Sequence, residues 1–257
     1  MISGAVSAFL SALDKYGLHV LRQSVLAQAA TCFLIGTAGF GLPSQAAQPR
    51  IVEVPNGPAF VRFPGKTEVD ARSGQWLRTD AVLRTTKPGR MQVMLGTGRQ
   101  FRMGGDAQLR LGSSSVELLK GSIIGWINPG TQTRHPFTIK TRLATASIQG
   151  TTVFIEFTES QFKIFSWEGK VLVTTRSGQS FTLNSGQQLL LDLKRFQPDG
   201  SVQQDDPLAV SWAPPVVIAE QEVERRLQKS RLINGFSTPL DTLPEIEREL
   251  GVTASSP

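Results

Sequence analysis

The sequence predicts an all-β fold, a sandwich or roll of many short, mostly antiparallel strands, with a short C-terminal α-helical tail. Three observations predict it. Between about Ile51 and Leu193 apolar and polar residues alternate in short runs, the period-2 pattern of strands with one buried face. Glycine turn signals separate these runs at a spacing of roughly 8 to 12 residues, as in sandwiches and barrels. No helical periodicity interrupts the region, whereas one sets in near residue 216.

In chain order, Phe101-Arg102-Met103, Gln108-Leu109-Arg110-Leu111 and Val116-Glu117-Leu118 alternate, as do Phe137-Thr138-Ile139-Lys140, Phe162-Lys163-Ile164 and Phe181-Thr182-Leu183. The denser runs Ile123-Ile124-Gly125-Trp126-Ile127 and Val153-Phe154-Ile155-Glu156-Phe157 predict central strands covered on both faces. Turns are expected at Lys87-Pro88-Gly89, Gly104-Gly105-Asp106, Asn128-Pro129-Gly130, Glu168-Gly169 and Ser177-Gly178. Gly98 to Met103 and Gly178 to Leu183 echo each other, each a turn glycine followed by a strand of the same phase.

After Pro198-Asp199-Gly200 the composition shifts, and Asp205-Asp206-Pro207 with Pro214-Pro215 marks a stiff linker. Ala219, Val223 and Leu227 then recur at i+4, with Glu222 four residues before Arg226. That predicts an amphipathic helix over about 216–233 that packs back on the β domain. Thr242-Leu243-Pro244-Glu245 has capping-box spacing with proline in the first turn and Gly251 at the stop, which predicts a second, shorter helix. The chain thus divides into a leader over 1–46, a β domain over 50–198, and a Pro-rich linker with C-terminal helices over 199–257.

The leader reads as a secretory signal. Val25 to Leu42 is an apolar stretch behind Lys15 and Arg22, followed by Pro43-Ser44-Gln45-Ala46-Ala47. A positive flank, an apolar run and small residues at a cut are its three parts, and cleavage is expected between Ala46 and Ala47. The alternatives are an uncleaved anchor, about 18 residues being just enough to span, and a buried helix. Cys32 follows Ala30-Thr31, unlike a lipoprotein cleavage site. The 257 residues include 27 Lys plus Arg against 21 Asp plus Glu, a net charge of +6. Loss of Lys15, Arg22 and Asp14 with the leader makes it +5, and removes the only Cys, the only Tyr and one of the two His, His19. A cysteine-free exported chain is held by its core alone. The same scarcity excludes a disulfide scaffold, a Cys-rich zinc site and a multi-His metal centre.

Several motifs recur in fixed order between about Gly74 and Gln188. They are Leu95-Gly96-Thr97-Gly98 before Phe101, Leu118-Leu119-Lys120-Gly121, Pro136-Phe137-Thr138-Ile139-Lys140-Thr141, Ile148-Gln149-Gly150-Thr151-Thr152-Val153, Trp167-Glu168-Gly169-Lys170-Val171 and Ser185-Gly186-Gln187. Together they resemble the FecR domain, named for the ferric-citrate regulator of iron uptake in bacterial envelopes. Thr97 stands where the family has Asp, and Val153 where Phe is common. The resemblance implies an all-β, non-catalytic envelope domain. The family's namesakes carry a cytoplasmic anti-sigma segment before a membrane helix, and a further periplasmic domain that meets an outer-membrane transporter. With 24 residues before the apolar run and about 64 after Leu193, this chain is expected to lack both.

Enzyme motifs are absent: there is no Gly-x-Ser-x-Gly elbow, phosphate loop or His-Glu-x-x-His. His135 precedes Pro136 in a turn-like segment with no evident nucleophile. Glu156 alternates with Phe154, Ile155 and Phe157 and is expected to face solvent rather than pair catalytically with Glu159. No enzymatic activity, cofactor or metal is expected.

Charge is more informative. Ala71 to Arg110 holds eight cations against Asp80 and Asp106, a local +6. On strands, Arg102 and Arg110 would share the polar side while Phe101, Met103, Leu109 and Leu111 line the core. Arg84, Arg90, Arg99, Arg102 and Arg110 form a candidate patch for an anionic envelope polymer or lipid headgroup, the plainer reading being a solvated face. Nucleic acid is disfavoured by the export signal. Trp76, Trp126 and Trp167 are expected as core anchors rather than sugar platforms. The expected function is an exported, periplasmic or extracellular, non-enzymatic binding or sensing module in the bacterial envelope, with an envelope protein or anionic polymer as partner. The membrane would enter only through an uncleaved signal segment. The alternatives are a structural envelope component and a membrane-anchored regulator of sigma-factor and iron-uptake signalling.

Overall fold

Alternation in the sequence becomes strands that each give one side to a core. The computed structural model describes residues 48–253 except 97, 114, 132–135 and 194–211. The leader with its Ala46–Ala47 cut, His135 and most of the linker lie outside the described residues. Five strands open the fold: β1 (Arg50–Asn56), β2 (Ala59–Arg62), β3 (Glu68–Asp70), β4 (Val82–Thr85) and β5 (Arg90–Met94). A long hairpin follows, β6 (Arg99–Leu111) and β7 (Ser115–Ile127). Then come β8 (Phe137–Lys140), β9 (Ala144–Ile148), β10 (Thr152–Phe157), β11 (Gln161–Glu168) and β12 (Val171–Thr175). The last are β13 (Ser180–Leu183), β14 (Gln187–Asp192) and β15 (Val216–Val217). Among the described residues every named strand pairing is antiparallel except β7 with β8.

The β6–β7 hairpin organises everything else. A turn is expected at Gly104-Gly105-Asp106, but the strand runs through it, and the ladder shifts register between Gly104 and Gln108. Asp106 takes φ 64° and Gly121 takes φ 89°. A Cβ on Gly121 would stand 2.3 Å from the Cα of Ala107, so only glycine lets the two backbones approach there. The extra residues form a bulge that bends the ribbon instead of ending it, and short predicted strands merge into two of 13 residues.

The bend lets one hairpin serve two layers. The first half of β6 pairs with β5 and the second half with β4. The start of β7 pairs with β8 and its end with β10. One layer therefore runs β1-β5-β6-β7-β10-β11-β14-β15, and the other β3-β2-β4-β6-β7-β8-β9-β12-β13. The strands β1, β3, β13 and β15 each have one strand neighbour, so the sheet stays open.

Phe101, Met103, Leu109 and Leu111 are fully buried in the cluster that both layers share, as their alternation predicts. On β7, Ile123 belongs to that cluster while Ile124 and Trp126 belong to a second one on the opposite face. The dense apolar run is thus covered on both sides. Trp167 is buried in the second cluster as well. Trp76 departs from expectation: it is 59% exposed, because it sits at an isolated bridge to Arg50 outside both cores. Trp212 is buried instead, edge-on to Phe162 at 5.6 Å.

The second cluster is closed by the C-terminal segment, which belongs to the same compact unit as the sheet. Its helices are α1 (Glu220–Lys229), α2 (Arg231–Asn234) and α3 (Leu243–Leu250). Val223 and Leu227 of α1, Leu232 and Ile233 of α2 and Ile246 of α3 pack with Ile124, Trp126, Phe165 and Trp167. The helix expected over 216–233 is shorter than its apolar period. Val216 and Val217 extend the sheet beside β14, and Ser230, with extended backbone at φ −71° and ψ 110°, separates α1 from α2. Nor does the capping box form. The Thr242 hydroxyl makes no cap bond and instead meets Thr152 Oγ1 at 2.6 Å in a buried contact. At the other end of α3, Gly251 takes φ 67°. A Cβ in that region costs about 1 kcal/mol. Gly251→Ala is therefore expected to lower the unfolding free energy by about that much, read as a lower urea midpoint at unchanged slope. Among the described residues no helix is long and apolar enough to cross a membrane.

Candidate functional site

The five arginines of the candidate patch do not share one exposed face. Arg84 on β4 holds Glu68 of β3 at 2.5 Å and lies 4.2 Å over the Phe60 ring. The hydrogen bond from Arg84 keeps the Glu68 carboxyl below the usual carboxylate range. Arg110 pairs with Glu117 across the hairpin at 3.1 Å. Their neighbours Leu83 and Leu109 face each other in the core, which puts Arg84 and Arg110 on the outer side of the second layer. Arg90, Arg99 and Arg102 lie in the first layer. Arg90 is half-buried with its Nη2 donating to Asn56 Oδ1, and Arg99 is half-buried at the start of β6.

Arg102 requires a correction. It points away from the main core, as the alternation predicts, but that side is roofed by the C-terminal segment and the residue is fully buried. Its Nε donates to Gln92 Oε1 at 2.8 Å. Its Nη1 donates to the carbonyl oxygens of Leu232 (3.2 Å) and Ile233 (2.9 Å), and its Nη2 to those of Thr238 (2.6 Å) and Pro239 (3.4 Å). The guanidinium lies 4.3 Å over the Phe236 ring and 5.5 Å over that of Trp126. Burial pushes its pKa down to about 10, opposed by the charges of Glu53 and Asp241. It remains a cation at neutral pH. Around it, Gln92 Nε2 donates to Gln100 Oε1, while Gln100 Nε2 and Trp126 Nε1 both donate to Asp241 Oδ2, at 3.0 and 3.1 Å. A buried network of this kind is stable only when its members are satisfied, and here the roof supplies the acceptors.

A second polar contact lies under α3. Glu168, at the end of β11, is 4% exposed and accepts a bond from Thr152 Oγ1 at 3.0 Å. Burial, against the lowering bond from Thr152 and helped by the charges of Glu249 and Glu245, pushes its carboxyl up to about 7. Glu249 behaves in the opposite way. It accepts from the Gly169 amide at 2.8 Å and from the Ser185 hydroxyl, and these bonds hold it below the usual range.

Between α1–α2 and the outer side of the first layer opens a cleft of about 700 Å³. Phe154, Phe165 and Trp167 reach into its lining, and cations from β11, α1 and α2 surround it. Sequence reasoning missed this place. Its signal was present, since Arg225, Arg226, Lys229 and Arg231 fall within seven residues, but only the fold sets them opposite Lys163.

Residues 81–172, from just before β4 into β12, match the family described as FecR protein. This segment is similar to the FecR domain. Within it lie the β6–β7 hairpin, Arg102 and the Glu168-Gly169 turn. The FecR match stops short of the helices that roof Arg102 and flank the cleft. Two solved structures from Parabacteroides distasonis, each described as a "putative anti-sigma factor", are similar in part. One has 16% identity and a TM-score of 0.43 over 58% of this chain and 64% of its own, and the other 17% and 0.35 over 44% and 53%. The chain spans less than two thirds of either. No curated protein matches it.

Proposed function

We propose that the protein is a membrane-anchored regulator in sigma-factor signalling, whose FecR domain is a non-catalytic sensing module in the bacterial envelope. The match of residues 81–172 to the FecR protein family is the observation that supports this reading. The partner is an envelope protein, and no chemistry is performed on it. In this reading Val25 to Leu42 stays in place as the anchor, against the cleavage after Ala46 that its pattern suggests, because control of a cytoplasmic factor needs a link through the membrane. The test combines N-terminal sequencing of the chain isolated from fractionated cells with transcript profiling of a strain lacking it. The expected result is an envelope-bound chain whose N-terminus precedes Val25, and a several-fold change in the genes under one sigma factor. A mature N-terminus at Ala47 would overturn the anchored regulator in favour of a released binding module. An unchanged transcript profile would overturn the link to sigma factors.

A further inference from the structure

We propose that the cleft between α1–α2 and the first layer binds an anionic amphiphile, a molecule with an apolar body and a phosphate or carboxylate head. About 700 Å³ is an ordinary size for a small-molecule site, and such sites combine an apolar lining with a few placed polar groups. The apolar part is aromatic. Phe165 and Trp167 meet edge-to-face with ring centres 4.8 Å apart, and Phe154 adds a third ring.

The polar part is cationic. Lys87 and Arg90 approach from the β4–β5 side and Lys163 from β11. Arg225, Arg226 and Lys229 project from α1, and Arg231 from α2. Among the described residues no carboxylate belongs to the lining. Three acids reach these cations from outside it: Asp106 to Lys87 at 3.5 Å, Glu156 to Lys163 at 2.8 Å, and Glu222 to Arg225 and Arg226 at 2.5 and 2.8 Å. Seven cations against three carboxylates leave a local excess of four positive charges. Among the described residues, Lys229 and Arg231 have no carboxylate partner at all. Such a field attracts an anion and orients its head.

A second, independent observation points to a ligand. Two buried donors of lining residues, Trp167 Nε1 and Arg90 Nε, have no hydrogen-bond partner among the described residues. Trp167 itself is only 3% exposed. Buried N–H groups are nearly always paired, and an acceptor on a bound head would satisfy them. A bare anion would leave the aromatic floor unused, and a neutral amphiphile would leave the charge unanswered.

Calorimetric titration of the full chain, purified as expressed, tests this with three probes kept below micelle-forming concentrations: n-decyl phosphate, n-decyl maltoside and inorganic phosphate. Decyl phosphate is expected to bind saturably, at least about tenfold more tightly than either of the others, and less tightly as salt rises. The double change Lys229→Ser and Arg231→Ser is expected to weaken that binding about tenfold with the urea midpoint unmoved, since neither cation holds a salt bridge among the described residues. Equal affinity for decyl maltoside would show that the charge is irrelevant, and equal affinity for inorganic phosphate that the apolar floor is. Either overturns the proposal. So does unchanged affinity in the double variant, or a self-associated chain in sedimentation that the same double change dissociates, which would make a second copy the occupant.

Discussion

Replacing Arg102 by alanine is expected to cost about 3 to 5 kcal/mol and to free the C-terminal segment from the sheet while the sheet itself survives. One guanidinium satisfies carbonyl oxygens at Leu232, Ile233 and Thr238 and fills the space between Trp126 and Phe236. Its removal leaves those buried acceptors unpaired, at about 1 to 3 kcal/mol each where water cannot reach them, and opens a void. Undocking of the segment relieves both costs, which sets a ceiling on the loss. Hydrogen exchange reads the outcome directly. Amides over 220–250 are expected to lose most of their protection, while β6 and β7, paired on both sides over most of their length, keep theirs. Arg102→Lys is expected to rescue only part of the effect, because a single ammonium cannot reach the α2 carbonyls and Thr238 together. Unaltered protection over 220–250 in the alanine variant would show that the roof is held by its apolar contacts alone.

Stability is expected to fall by about 3 kcal/mol as pH rises from about 4.5 to just above 7, and Glu168 is the cause. Its carboxyl has an ordinary value of 4.5 and is raised to about 7 in the fold, chiefly by burial. Below 4.5 the folded and unfolded chains both hold the proton, and the protonated group is accommodated at full stability. Between 4.5 and 7 only the folded chain holds it, so stability declines with pH, and above 7 the loss is complete. About 2.5 pH units at roughly 1.4 kcal/mol each give the expected size. Glu249 acts with the other sign: its lowered value stabilises the fold above its ordinary range and is lost only as the solution becomes acidic, below this window. Urea unfolding at pH 4.5 and pH 8 measures the difference. Glu168→Gln keeps the bond to Thr152 without the charge, and is expected to flatten the dependence and add about 2 kcal/mol at pH 8. A variant with the same slope as the natural chain would place the effect elsewhere.

The β pattern was legible because it is local. Each alternating run from Phe101 to Leu183 reports which side of a strand is dry, and the structure agrees at Phe101, Met103, Leu109 and Leu111. What a local pattern cannot report is what lies on the other side. Arg102 alternates with core residues and therefore reads as solvent-facing, yet its pairing partner across the hairpin is Ile124, and Trp126 stands opposite Gln100. Two large apolar residues on the supposedly wet face were the sign that something covers it. Gly104-Gly105-Asp106 misled for a related reason: glycine and aspartate at positive φ serve a bulge as well as a turn, and only the partner strand distinguishes them. The cleft was the least legible part. Its cations come from separated stretches of chain, and nothing in the spacing of Lys163 and Arg225 says that they meet.

The carboxylate of Glu53, on the first strand, accepts from the amide and hydroxyl of Ser237 at 3.0 and 2.9 Å. The opening of the fold is thus fastened to its close across 184 positions of sequence. A nascent chain can assemble its sheet early, but Trp126, Phe165 and Trp167 stay bare until the segment from Val223 to Val252 emerges. Contacts of such separation form late, and an apolar face exposed in the interval invites wrong partners. Interruption of synthesis near residue 215 would therefore yield a paired but sticky sheet, and the integrity of this fold is decided by a segment made after its sheet.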